Sequence, residues 1–158
     1  MKTLFLCRHA HAGESDRGDF YRELSHDGKK EARRLAIRLA ETACGADLIV
    51  SSPAARALQT AQIIARKIGY DVNRILTDIT IYEQNLSEIL ALLHRLTVTE
   101  KNVWLFGHNP SVQELVARFT ASPPVKTPPG TITAIEFDAT DWPAAFSSAG
   151  KGAWREIP

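Results

Sequence analysis

The chain has 158 residues, enough for one domain with a substantial core and too few for two full ones. Apolar residues make up 44% and charged residues 23%, an ordinary globular composition, and the formal charge is +1. That balance gives bulk electrostatics no grip on nucleic acid or a membrane surface, so any positive field must be local. No apolar stretch approaches the roughly 18 residues of a membrane span. One lysine precedes an apolar run too short for a signal peptide, with no cleavage pattern after it. Cys7 and Cys44 fall on a predicted strand and a predicted helix end, without disulfide or metal-site spacing. Reduced thiols and a cytoplasmic location are expected.

In chain order, "TLFLC" (3–7) is the first strand. "LSHDGKKEARRLAIRLAETAC" (24–44) then changes period, with Ala32, Leu35, Ala36, Leu39, Ala40 and Ala43 on one stripe: an amphipathic helix with Ser25 as N-cap. Its Lys29, Lys30, Arg33, Arg34 and Arg38 read as a solvated face. "DLIVSS" (47–52) is the second strand, and Ser52-Pro53 reads as cap and first turn of a helix running to about Ile68 and stopped by Gly69. A weaker strand is expected near Val72 to Leu76. "LSEILALLHRL" (86–96) is a shorter helix with a Leu86, Ile89, Leu90, Leu93, Leu96 stripe. "NVWLF" (102–106) is the third firm strand, and Asn109-Pro110 opens a helix with Val112, Leu115, Val116 and Phe119 inward. "ASPPVKTPPGT" (121–131), with four prolines and a glycine, is a loop. "TITAIEFDA" and "GAWREI" give two last strands joined by a loop.

Strands alternating with helices predict an α/β protein, a single domain over 1–158. The expected architecture is a three-layer α/β/α sandwich whose sheet is mainly parallel, with an antiparallel C-terminal element. Ligands of such sheets bind beyond the C-terminal ends of the strands. There the sequence repeats one theme. Arg8 and His9 end the first strand, Arg56 opens the helix after the second, and His108 follows the third. Arg22 precedes the first helix. Taken singly, Arg56 reads as a helix-surface charge, His108 as a cap and Arg8 as half of a surface ion pair. Together they gather like charges at one edge, which requires an anion.

A phosphoryl group fits best. Guanidinium forks match its oxygens, and helix N-termini add N–H donors and partial positive charge. Guanidiniums beside a histidine lower its pKa, leaving the neutral imidazole a nucleophile needs. His9 is therefore expected to attack phosphorus, its other ring nitrogen held by a backbone carbonyl or similar acceptor. Arg8, Arg56 and His108 bind the equatorial oxygens, and water hydrolyses the phosphohistidine intermediate.

These segments also carry a resemblance. "LCRHAHAG" resembles the R-H-G/A motif of the histidine phosphatase superfamily, which includes the phosphoglycerate-mutase-like enzymes. "SSPAARALQTA" is similar to its S-P-x-x-R-A-x-Q-T-A segment, "FGHNP" to its second-histidine segment, and "RELSHDGKKEA" to its R-x-L-[ST]-x-x-G-x-x-[EQ]-A stretch. The small size resembles the SixA-type phosphohistidine phosphatases, with no room for the cap insertions of mutases. The resemblance implies a phosphoglycerate-mutase-like fold and hydrolase activity without a cofactor. It implies His9 as nucleophile, Arg8, Arg56 and His108 as phosphate pocket, and Arg22 as a further phosphate contact. A phosphohistidine-bearing protein, such as a phosphotransfer domain in signal transduction, is the implied partner.

Larger relatives carry an acid that protonates the leaving oxygen. In the corresponding "ITIYEQNLSEIL" (79–90), Glu83 is the candidate, without the characteristic surroundings. An alkoxide needs that proton far more than an imidazole leaving from a phosphoramidate does, which favours phosphohistidine over an ester. The alternative is a phosphomonoesterase acting on a small ester or nucleotide with Glu83 as acid. His9 and His11 share one strand face at a metal-compatible spacing, but further ligands are lacking and Arg8 repels a cation, so no metal is expected. His11 is expected at the pocket rim, His26 and His94 on helix surfaces, and Trp104 in the core. Trp142 and Trp154 are expected against each other or the sheet edge, with no aromatic nucleic-acid platform. A monomer is expected, since no long apolar face lacks a partner.

Overall fold

The computed structural model describes residues 1–97 and 99–157. Its six strands are β1 (Lys2–Arg8), β2 (Leu48–Ser51), β3 (Leu76–Thr77), β4 (Asn102–Gly107), β5 (Ile132–Phe137) and β6 (Lys151–Glu156). The helices are α1 (His26–Glu41), α2 (Ala55–Lys67), α3 (Ile79–Glu83), α4 (Leu86–His94), α5 (Ser111–Thr120) and α6 (Trp142–Phe146). The sheet order is β3-β2-β4-β1-β5-β6. Parallel pairing joins β1, β4, β2 and β3, while β5 and β6 add on antiparallel.

The alternation of side chains along β1 sorts the core into two halves. Leu4 and Leu6 join Val103 and Leu105 of β4 beneath α3, α4, α5 and α6, through Ile81, Ile89, Leu93, Leu115, Phe119 and Trp142. Phe5 and Cys7 face the other way with Trp104 and Phe106, beneath Leu35, Ala36 and Leu39 of α1 and Ala61, Ile64 and Ala65 of α2. Phe5 and Trp104, paired in register, stack with centroids 4.0 Å apart. Each fully buried leucine here contributes about 1.5–3 kcal/mol. This is the three-layer α/β/α arrangement the alternation of elements predicts.

Several local expectations are corrected. Ala40 is exposed although it lies within α1, and Ala43 is exposed beyond the helix end at Glu41, where it turns the chain at φ 54°. Helix α2 starts at Ala55 with Ala54 in the cap position; Ser52 is engaged with His108 instead, and Pro53 lies outside the helix. The stretch expected as a strand near Val72 forms a 3₁₀ turn, Val72–Arg74, and only Leu76 and Thr77 pair. The connection between the last two strands contains α6, capped by Asp141. Trp142 and Trp154 do not meet: they lie in the halves of the core on opposite faces of the sheet, Trp154 against Phe5. Cys7 is buried, Cys44 half-buried, and both are free thiols.

Two tight approaches position the C-terminal edge of the parallel strands. Ser25 caps α1 through the Gly28 amide, and a Cβ on Gly28 would lie 2.0 Å from the His11 carbonyl oxygen. Only glycine lets the first turn of α1 press against the segment following β1. Arg8 is level with Gly107, and Ser51 with Phe106, so β1, β2 and β4 end side by side. Among the described residues, no helix is long and apolar enough to cross a membrane.

Candidate active site

At that edge lies a pocket of about 360 Å³, lined by Arg8, His9, His11, Ala12, Asp19, Arg22, Arg56, Gln84, His108, Asn109 and Pro129. It is small for a ligand site, where about 300–1,000 Å³ is usual. The sequence-predicted residues Arg8, His9, Arg22, Arg56 and His108 all meet here, from β1, the loop before α1, the first turn of α2 and the end of β4.

The backbone at position 9 is fixed on both sides. The His9 amide donates to the Gly107 carbonyl at 3.1 Å, and the Gly130 amide donates to the His9 carbonyl at 2.8 Å. The ring is held as expected: Nδ1 lies 2.7 Å from the Ala10 carbonyl oxygen. A carbonyl only accepts, so Nδ1 carries the proton and Nε2 keeps its lone pair. Arg56 Nε stands 3.4 Å from that Nε2. The rings of His9 and His108 are 5.1 Å apart, and His108 Nε2 is 2.8 Å from Ser52 Oγ.

Burial lowers the His9 pKa from 6.5 to about 4; the Ala10 hydrogen bond opposes this, and the charges of Arg56, Arg8 and Arg22 add to it. His108 is lowered to about 3, again first by burial and then by His9 and Arg56. The guanidinium repulsion expected from the sequence contributes, and desolvation is the larger cause. Both rings are neutral near pH 7 in the folded chain, whereas in the unfolded chain they titrate near 6.5. As the pH falls below about 6.5 the unfolded state takes up protons that the folded state refuses. Thermal stability is therefore expected to drop between about pH 6.5 and pH 4, followed as melting temperature against pH. The His9→Asn, His108→Asn double variant should lose that part of the slope.

Three features of the site went unread in the sequence. The first is Asp19, on a 3₁₀ turn (Asp19–Tyr21). Its carboxylate accepts from Arg56 Nη2 at 2.9 Å, Arg22 Nη1 at 3.1 Å and the Tyr82 hydroxyl at 3.2 Å, and its carbonyl from Arg56 Nη1 at 2.7 Å. Partial burial raises the Asp19 pKa, but hydrogen bonds from Arg56 and Arg22 and the charge of Arg56 outweigh it and hold the carboxyl below its ordinary value. The second is the proline-rich loop, whose Thr127 carbonyl accepts from Arg8 Nη1 at 2.7 Å and Asn109 Nδ2 at 3.0 Å. The third is a brace through Thr60, which accepts from the Ala10 amide and donates to the Arg56 carbonyl. Gln59 beside it accepts from the Leu24 amide. These two are the Q-T of the quoted "RALQTA", and their spacing one helical turn beyond Arg56 is the signal that would have assigned them a bracing role.

Glu83 is exposed at the end of α3, and the pocket is lined by its neighbour Gln84, which also accepts from the Ser111 amide opening α5. His11 sits at the rim, its Nδ1 2.7 Å from Glu31. His26 and His94 are exposed, and Trp104 is buried. No cluster of metal-ligating side chains occurs among the described residues.

A family model for the histidine phosphatase superfamily (branch 1) matches residues 4–89, and the chain belongs to that superfamily. It is a phosphatase with the phosphoglycerate-mutase-like fold, and within the superfamily it is SixA-like. The SixA structure from Agrobacterium tumefaciens is 26% identical, with a TM-score of 0.81, covering 99% of this chain and 98% of that one. The SixA structure from Nakamurella multipartitia is 24% identical, with a TM-score of 0.81 and coverage of 99% and 96%. A protein histidine phosphatase SixA solved with tungstate is 21% identical, with a TM-score of 0.78 and coverage of 97% and 95%. A search of curated protein sequences found no match.

Proposed function

We propose that this chain, as one domain, is a phosphohistidine phosphatase that removes phosphoryl groups from a histidine-phosphorylated protein, such as a phosphotransfer domain of a cytoplasmic signalling system. His9 Nε2 attacks phosphorus, and Arg8, Arg22, Arg56 and His108 hold the phosphoryl oxygens. Among the described residues neither Arg8 Nε nor His108 Nδ1, both buried, has a partner, so an oxyanion would satisfy both. The phosphorylated His9 carries its Nδ1 proton against Ala10 O, so when water attacks, the ring departs as neutral imidazole.

One observation carries the choice of substrate. Asp19 is the one carboxylate among the described residues lining the pocket, and its guanidinium partners keep it ionised. An ionised carboxylate has no proton for an alkoxide, and Glu83 lies outside the pocket lining. A phosphoramidate, whose leaving ring can bring its own proton, is the substrate such a site can process.

The test compares the wild-type enzyme on a histidine-phosphorylated carrier protein and on an alkyl phosphate such as phosphoserine. The kcat/KM for phosphohistidine should be larger by about 10²–10⁴-fold, the usual worth of a positioned acid. Equal or better hydrolysis of the alkyl ester would replace this reading with a phosphomonoesterase.

A further inference from the structure

Transfer from a substrate phosphohistidine to His9 exchanges one phosphorus–imidazole bond for another. Each ring must carry a proton on its far nitrogen while phosphorylated, since otherwise it departs as a poor, anionic leaving group. For His9 the acceptor holding that proton is the Ala10 carbonyl. Near-symmetric chemistry calls for an equivalent acceptor on the other side of the phosphoryl group.

Building on the phosphohistidine reading, we propose that Asp19 is that acceptor: its carboxylate binds the far N–H of the substrate imidazole and keeps the ring in its protonated, reactive form. Three hydrogen bonds already reach the carboxylate, leaving about one of its roughly four acceptor positions, and its side chain is 52% exposed within the pocket lining. Arg56 fixes its separation from the nucleophile, with Nε at 3.4 Å from His9 Nε2 and Nη2 at 2.9 Å from Asp19 Oδ2. The spare acceptor position is on Oδ1, since Oδ2 takes both Arg56 Nη2 and the Tyr82 hydroxyl while Oδ1 takes only Arg22 Nη1, and the carboxylate and His9 line the same pocket.

The step balances. The His9 Nε2 lone pair forms the new N–P bond, and the electron pair of the breaking P–N bond returns to the substrate ring. That ring keeps its far proton throughout and leaves as neutral imidazole. Asp19 neither gains nor loses a proton. Against an alkyl ester the same carboxylate works in reverse, because a departing alkoxide would face a second negative charge.

The probes are phosphoimidazole, whose leaving ring needs the proton, and 4-nitrophenyl phosphate, whose leaving group does not. Asp19→Asn keeps an acceptor for Arg56 and removes the charge. Its kcat/KM for phosphoimidazole should fall at least tenfold more than for the ester. The high-pH limb of its phosphoimidazole profile should also move down by about one pH unit or more, the usual worth of a close opposite charge. Equal losses on both probes with an unmoved limb would mean that Asp19 acts only by steadying Arg56, and would overturn the proposal. Should the asparagine variant fail to fold, the wild type decides alone. Its kcat limb, which reports the bound complex, should lie about one unit or more above the pKa of free phosphoimidazole. Coincidence of the two would overturn the proposal. A wild type that hydrolyses esters and ignores phosphoimidazole would instead sink the phosphohistidine reading itself, and this proposal with it.

Discussion

Replacing His9 by alanine is expected to reduce turnover of a phosphohistidine protein by about 10⁴-fold or more, the scale on which losing a covalent nucleophile is felt. The variant should still fold. The backbone at position 9 is held by Gly107 and Gly130 and not by the imidazole, and Ala10 is tied independently to Thr60. It should also keep an oxyanion site, because Arg8, Arg56 and His108 remain, so vanadate or tungstate should still raise its melting temperature. The measurement that reads the mechanism directly is phosphoenzyme trapping. Brief exposure of wild type to ³²P-labelled substrate should leave an acid-labile, base-stable label, and the alanine variant should take up none. Label or turnover retained in that variant would show that another group attacks phosphorus.

Arg56→Ala should cost about 10²–10³-fold in kcat/KM, the range seen when one donor to transition-state charge is removed. Arg56 is buried, with a side-chain exposure of 7%, and spends two nitrogens on Asp19 while its third faces His9 Nε2. Its charge is also one of the causes that keep the His9 pKa down, after burial. The sign follows: removing the cation lets the His9 pKa rise toward 6.5, so the acid limb of kcat/KM moves to higher pH and activity at pH 5 falls further than at pH 7. Arg56→Lys restores charge but not geometry, since an ammonium cannot reach the Asp19 carbonyl, the Asp19 carboxylate and His9 together. Lysine should therefore bring the limb back toward its wild-type position while leaving most of the rate deficit. An acid limb unmoved in the alanine variant would show that this charge is not felt at His9.

Of the two carboxylates, Asp19 and Glu83, only Glu83 is legible as a candidate in the sequence. Glu83 drew attention by its place in the chain, after the third element of a recognisable pattern; in space it is exposed at the end of α3, and Gln84 lines the pocket. Asp19 stands in "SDRGDFYRE", a polar stretch with nothing to separate it from a solvated loop. Its role depends on Arg56, 37 positions later, and on Tyr82, 63 positions later, meeting it at one point. The proline-rich loop shows the same limit. Composition marks it as irregular, but that its Thr127 carbonyl braces Arg8 across 119 positions is a consequence of β5 returning antiparallel beside β1.

By itself the sequence determined the order of the main strands and helices, α3 and α6 apart, and the clustering of arginine and histidine at strand ends. Those follow from period and position along a single segment, which local sterics and side-chain alternation enforce wherever the segment lies. Tertiary structure alone decided which nitrogen of His9 is free, which carboxylate enters the pocket, and how far the two histidine pKa values fall. Desolvation and hydrogen-bond partners are properties of the packed whole, made by groups that are distant in the chain and become neighbours only when both faces of the sheet are covered.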